Sequence, residues 1–340
     1  MKKRKLDTLL ILRGLLAVSV VVWHIAESND NIPVFIRIPG RTAVWIFFGI
    51  SGYVISYGFL TKRYLLNRAD IKAFYINRFL RIYPLFLLLS LLTLVTAYSV
   101  TGKFSINFSD LPSQIFMLQF NHEYVLNGVF WTLGIEVQFY LIAPLLVTLF
   151  LNKFRYGFLL NTGIYFLLLL WLPFAFYFFG LSFDGRNIIS NLSHFFIGMM
   201  ACKLVLDNKH SKYNSYLLTG VIVSILFLTN YLYQYSIKFY WTLGTFLIDL
   251  VILLSVMLHA NLEKEIIPQT GLILRTLTFL GIISYGVYAW HPFLIKYIPL
   301  LDNSILIVLI TTVFAAFVSY KFVEQPILKM KRQNKKAILK

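Results

Sequence analysis

Arg13 and His24 stand eleven residues apart in one long apolar stretch. On an α-helix that separation is about 20° past three full turns, so the two side chains share a face, about 16 Å apart along the axis. Arg stays charged at any relevant pH. Histidine can take or give a proton near neutrality. Charge inside hydrocarbon is costly, so intramembrane ionisable groups are candidates for function. The segment Trp131-Thr-Leu-Gly-Ile-Glu136 places a carboxylate at the depth expected for His24, where it would accept the imidazole N–H. A base held by an orienting group is the arrangement that activates a hydroxyl. Tyr288 and His291, three residues apart, share a face near the end of another apolar run, and Arg78 and Arg81 do the same in the opposite half. Two guanidinium groups suit phosphates.

These residues need helices to carry them across a membrane. The 340 residues are 59% hydrophobic and 13% charged, with a mean hydropathy of +0.74. A soluble domain carries roughly 25% charged residues. Continuous apolar runs, each long enough for a bilayer core of about 30 Å, fall at about 8–26, 41–60, 79–100, 128–151, 158–180, 189–206, 215–233, 239–259, 276–296 and 304–323. Their continuity excludes a β-barrel, whose strands alternate. The expected fold is an all-α polytopic bundle of about ten transmembrane helices. Of 31 Lys and Arg residues, 24 fall on the side of the N-terminus, six on the other and Arg13 within the first span. That asymmetry predicts both termini in the cytoplasm.

The net charge of +17 is scattered through short segments and concentrated at the ends. Such a pattern fits topology and anionic lipid headgroups, not nucleic acid. The single cysteine, Cys202, excludes an intramolecular disulfide and a multi-thiolate metal site; no metal is expected. The basic N-terminus precedes an apolar run too long for a cleavable signal peptide. Residues 47–53, Phe-Phe-Gly-Ile-Ser-Gly-Tyr, read as a close-packing stretch, with a role for Ser51 as a lesser reading. Asp249 and His194 read as packing or cavity groups without a partner motif.

In order along the chain, Arg13 and His24, the Phe-Phe-Gly-Ile-Ser-Gly-Tyr segment, Arg78-x-x-Arg81 with Tyr83-Pro84, Trp131-Thr-Leu-x-x-Glu136, Ser284-Tyr-Gly-Val-Tyr288-x-x-His291 and Glu324-x-Pro326 resemble the membrane acyltransferase type 3 family of bacterial polysaccharide O-acyltransferases. The resemblance runs from about residue 6 to 327. It implies a membrane domain over 1–327, followed by a basic cytoplasmic tail at 328–340, in a bacterial inner membrane. It implies transfer of an acyl group, acetyl first, from acyl-CoA as co-substrate to a hydroxyl of a surface or lipid-linked glycan, without a permanently bound cofactor. It also implies that His24 is the catalytic histidine and Arg13 essential beside it. The chain ends without the hydrolase-like domain that many relatives append, so direct transfer is the simpler expectation.

The expected mechanism uses one continuous polar cavity. Arg78, Arg81 and Arg13 take the coenzyme's phosphates. His24, oriented by Glu136, deprotonates the acceptor or carries the acyl group itself. Trp131, Tyr288 and His291 line the acceptor side. A transporter, or an acyltransferase acting on a small metabolite, is the alternative reading. Transporters commonly show internal repeats and interrupted helices.

Overall fold

The computed structural model describes residues 7–27, 38–103, 106, 109–117, 126–152, 163–165, 167, 186–207, 214–264, 271–298 and 305–329. Nine helices among them are long and apolar enough to cross a membrane: α1 (Thr8–Glu27), α2 (Gly40–Leu60), α3 (Arg68–Thr101), α4 (Trp131–Leu151), α5 (Ile188–Leu206), α6 (Ser215–Tyr235), α7 (Ile237–Glu263), α8 (Leu272–Tyr297) and α9 (Ile305–Lys329). The protein is a multi-pass, all-α membrane bundle. The span expected at 158–180 lies outside the described residues, apart from 163–165 and 167.

Glycines decide which helices meet most closely. A Cβ on Gly52 would strike the Phe195 carbonyl, and one on Gly198 the Gly49 carbonyl, so α2 and α5 pack backbone to backbone. Lipid tails give helices no hydrophobic reason to associate, and close van der Waals contact supplies the attraction instead. Phe195 fills the gap beside this seam, stacked on Phe48 at 4.7 Å and Phe139 at 4.0 Å. A second seam joins α1 to α8, where a Cβ on Gly14 would sit 2.7 Å from the Gly281 nitrogen. Ten residues further along each helix, His24 stacks on His291, so α1 and α8 run parallel. That direction is the one alternation requires of the first and ninth expected spans.

α3 begins eleven residues before the expected 79. The Asn67 side chain accepts a hydrogen bond from the Asp70 N–H at 2.8 Å, which caps the helix there. At the other end Gly102, with φ of 68°, closes it in the left-handed conformation. The result is a 34-residue helix, about 51 Å long. Arg78 and Arg81 therefore lie well inside it rather than at its mouth.

The start of α4 also differs from expectation. Leu126, Asn127, Val129 and Phe130, which lead into it, are buried. The Asn127 amide donates to the Ala289 carbonyl at 3.1 Å, tying this approach to α8. The helix thus starts inside the bundle, and everything along it sits deeper than a helix entering from the surface would place it.

Candidate active site

The parallel packing of α1 on α8 builds one end of the site. His24 and His291 have ring centroids 5.1 Å apart with planes inclined by 24°. Nδ1 of His24 lies 3.0 Å from Oε2 of Glu27, one turn further along α1. An ionised carboxylate only accepts, so Nδ1 carries the hydrogen and Nε2 keeps its lone pair. His291 is fully buried, and neither ring nitrogen has a hydrogen-bond partner. Pro292 follows it and has no N–H for the Tyr288 carbonyl, which leaves an acceptor beside the His291 ring.

Both imidazoles face a cavity of about 540 Å³, walled also by Glu27, Arg41, Trp131, Tyr233 and Tyr288. That is within the range of small-molecule sites, about 300–1,000 Å³. The Tyr288 hydroxyl pairs with Thr132 Oγ1 at 3.0 Å, which fixes the ring on the wall between α4 and α8. Trp131, Tyr288 and His291 therefore share one cavity with His24.

Glu136 does not line that cavity. It accepts hydrogen bonds from Ser51 Oγ at 2.6 Å and from the Tyr140 hydroxyl at 2.5 Å. It lines two smaller cavities and not the one at His24. The expected His24–Glu136 pair is replaced by His24–Glu27. The cause is the buried start of α4: Trp131 reaches the level of His24, and Glu136 lies five residues, about 7.5 Å, beyond it. There the carboxylate is within electrostatic reach of Arg13.

The smaller cavities lead away from the imidazoles. One of about 60 Å³ shares Val44 and Tyr288 with the large cavity and is lined further by Arg13, Phe47, Ser51, Glu136 and Ser284. The next, about 50 Å³, shares Arg13, Ser51, Glu136 and Tyr285 with it and ends at Arg78, Arg81 and Tyr140. A single continuous passage was expected. The structure has three cavities in series with common walls, the inner two only large enough for a few waters.

Three arginines from two helices, Arg13 with Arg78 and Arg81, thus converge on the far end. Among the described residues none of them has a carboxylate within 4.0 Å, and Nε of Arg13 and of Arg78 has no hydrogen-bond partner. Arg78 rests over Phe74 at 5.6 Å and Tyr140 at 5.5 Å. Glu324, on a π-helical turn of α9, is buried with both carboxylate oxygens unpartnered. Arg81 lies within electrostatic reach of it.

A second imidazole–carboxylate pair lies elsewhere. Nδ1 of His194 is 2.6 Å from Oδ1 of Asp249, and the Tyr165 hydroxyl donates to Oδ2 at 2.9 Å. Trp45 covers the ring with centroids 5.0 Å apart. Neither His194 nor Asp249 lines any of the three cavities in series. Expected as packing or cavity groups without a partner motif, these two residues are partners of one another. Glu27, Arg41 and Tyr285 were not singled out as site residues either. Only Glu27 carried a local signal, three residues after His24 and so on its face.

A family model described as an acyltransferase domain matches residues 6–323. A candidate acetyltransferase of Acidianus two-tailed virus is 28% identical over 296 residues, covering 82% of this chain and 80% of that protein. The peptidoglycan O-acetyltransferase OatA of Listeria monocytogenes is 23% identical, covering 94% of this chain and 55% of its own length. The O-acetyltransferase OatA of Staphylococcus aureus is 26% identical over 158 residues, 42% of this chain and 25% of its own. The chain thus spans about half of the Listeria protein and a quarter of the Staphylococcus one. No solved structure matches.

Proposed function

The chain belongs to the membrane acyltransferase type 3 family, and on that premise we propose that it is an O-acetyltransferase that takes acetyl from cytoplasmic acetyl-CoA and delivers it to a hydroxyl of a surface or lipid-linked glycan. The membrane is a bacterial inner membrane. One observation carries the reading: three cavities sharing walls join a cluster of three arginines to a pair of stacked imidazoles. Two chemically different ends suit two chemically different substrates.

Arg13, Arg78 and Arg81 hold the phosphates of the coenzyme, and the charge asymmetry of the loops points that end to the cytoplasm. The slender pantetheine arm follows α1 through the waist beside Ser51 and Glu136, which must widen to admit it. At the far end the acceptor hydroxyl attacks the thioester carbonyl carbon. Its proton goes to Nε2 of His24, whose other nitrogen is held by Glu27. The carbon–sulfur bond breaks, and the departing thiolate takes the proton from the imidazolium. His291, whose ring carries no side-chain hydrogen bond, supplies an N–H to the oxyanion formed on the way. Trp131 offers an indole face to the sugar. Transient acylation of His24 remains a route through the same atoms.

The test is incubation of the full chain in lipid vesicles with acetyl-labelled coenzyme A and a glycan acceptor. Label covalently bound to the glycan is the expected result. Label that crosses the vesicle without entering any product overturns the enzyme reading in favour of a carrier.

A further inference from the structure

Near the arginine cluster lies a side chain that the transfer chemistry does not use. Glu324 is buried, and neither of its carboxylate oxygens has a hydrogen-bond partner. Burying a carboxylate without donors is costly, and such a group calls for something that completes it. Glu136, at the same cluster, accepts hydrogen bonds from Ser51 and Tyr140. Of these two acids, Glu324 is the incomplete one.

The backbone accounts for its place. Tyr320–Glu324 form a π-helical turn near the end of α9. Pro326, two residues on, has no N–H for the Phe322 carbonyl, which a regular α-helix would use there. Turns of this kind are frequent at functional sites. This one packs on α3, the helix of Arg78 and Arg81. It buries Glu324 while Lys321 and Phe322 stay exposed. Beside it, the Tyr285 hydroxyl donates to the Ile82 carbonyl at 2.7 Å. That bond fixes α8 to the residue after Arg81 and spends the single hydrogen of the phenol. Arg81 lines the innermost cavity and Glu324 does not. A guanidinium carries five N–H donors in a rigid fork, enough to meet a carboxylate on one side and a phosphate on the other.

Resting on the reading above, in which the three arginines hold the donor's phosphates, we infer that Glu324 is a positioning residue for the donor: as acetyl-CoA binds, the Arg81 guanidinium closes onto the Glu324 carboxylate from one side and onto a phosphate from the other. Glu324 touches neither substrate. It holds Arg81 in the orientation that binds phosphate, and so governs donor affinity and not the chemistry at His24.

Donor binding tests this with the full chain in nanodiscs. Calorimetry without acceptor gives Kd for acetyl-CoA, and labelled acetyl-CoA with a glycan gives kcat and KM. Glu324→Gln keeps the shape of the side chain and removes its charge. It raises Kd and KM for acetyl-CoA about tenfold, the worth of one charge-assisted hydrogen bond, and leaves kcat within about twofold. Its thermal midpoint stays level or rises, because no unpaired charge is then buried. Glu324→Asp keeps part of the affinity. On an Arg81→Gln background the step caused by Glu324→Gln shrinks to less than about twofold, since the two side chains act together. An unchanged or tighter Kd in Glu324→Gln overturns the inference, and so does a full step on the Arg81→Gln background. Inorganic pyrophosphate separates the inference from the donor reading. If the unaltered protein binds pyrophosphate but not acetyl-CoA, and Glu324→Gln weakens pyrophosphate, the link from Glu324 to Arg81 stands and the acetyl-CoA reading falls. If acetyl-CoA binds equally to both proteins and its label enters the glycan, the acetyl-CoA reading stands and the inference falls.

Discussion

Among the described residues two histidines hold a carboxylate at hydrogen-bond distance, and the two pairs differ in access rather than in chemistry. His24 and Glu27 are 3.0 Å apart with side chains 37% and 53% exposed, on the wall of a large cavity. His194 and Asp249 are 2.6 Å apart and each 1% exposed, sealed by Trp45 and Tyr165. A base must meet the proton it removes. The first pair has open space and a second, unpartnered imidazole in front of it. The second has both Asp249 oxygens hydrogen-bonded and its ring packed against Trp45. A short histidine–carboxylate contact by itself therefore says little about catalysis; the space beyond the ring decides.

The largest effect should come from the open pair. His24→Ala is expected to cut acetyl transfer about 10³-fold, within the usual span for a general base, while the thermal midpoint of the solubilised protein barely moves. Full activity in this variant would remove His24 from the chemistry. His194→Ala should act the other way. It leaves Asp249 buried beside an empty space, which costs roughly 3 kcal/mol of stability. The expected reading is a clearly lowered midpoint, with the molecules still folded keeping their rate within a few-fold. An unchanged midpoint with a 10³-fold loss of rate would mean that the sealed pair is the working one.

Two smaller changes sharpen the contrast. Glu27→Gln keeps the size of the side chain but puts a neutral amide against Nδ1, and about a tenfold loss of rate is expected, equivalent to 1.4 kcal/mol at the barrier, with no change in midpoint. Wild-type kinetics in that variant would show that the 3.0 Å contact does not orient the ring. Tyr165→Phe removes one hydrogen bond from Asp249 and leaves the other, so a loss of about 1 kcal/mol is expected, visible in the midpoint alone. A tenfold fall in rate with an unmoved midpoint would tie this cluster to the site after all.

The outer cavity and the arginine cluster offer a related contrast. Both are cationic, but the outer end mixes its guanidinium groups with indoles and imidazoles. The inner end brings Arg13, Arg78 and Arg81 around Glu136 in little free volume.

Much of the frame could be read from residue types alone. Apolar runs of bilayer length determined a helical membrane bundle, because unpaired backbone groups are not tolerated in hydrocarbon. Arg13 and His24 could be put on one face because a helix repeats every 3.6 residues whatever surrounds it. The family was legible for the same reason: its motifs are local and keep their order. The tertiary structure decided what local spacing does not contain. Glu136 lies at the arginine end because the segment before α4 is buried, and only packing against α8 buries it. His291 meets His24 because glycines 267 positions apart let α1 and α8 touch. Asp249 found His194 across 55 residues, and Arg41 found Trp241 across two hundred. Helical periodicity fixes which residues share a face. Which faces then meet, and at what depth, depends on backbone approach and burial summed over the whole bundle.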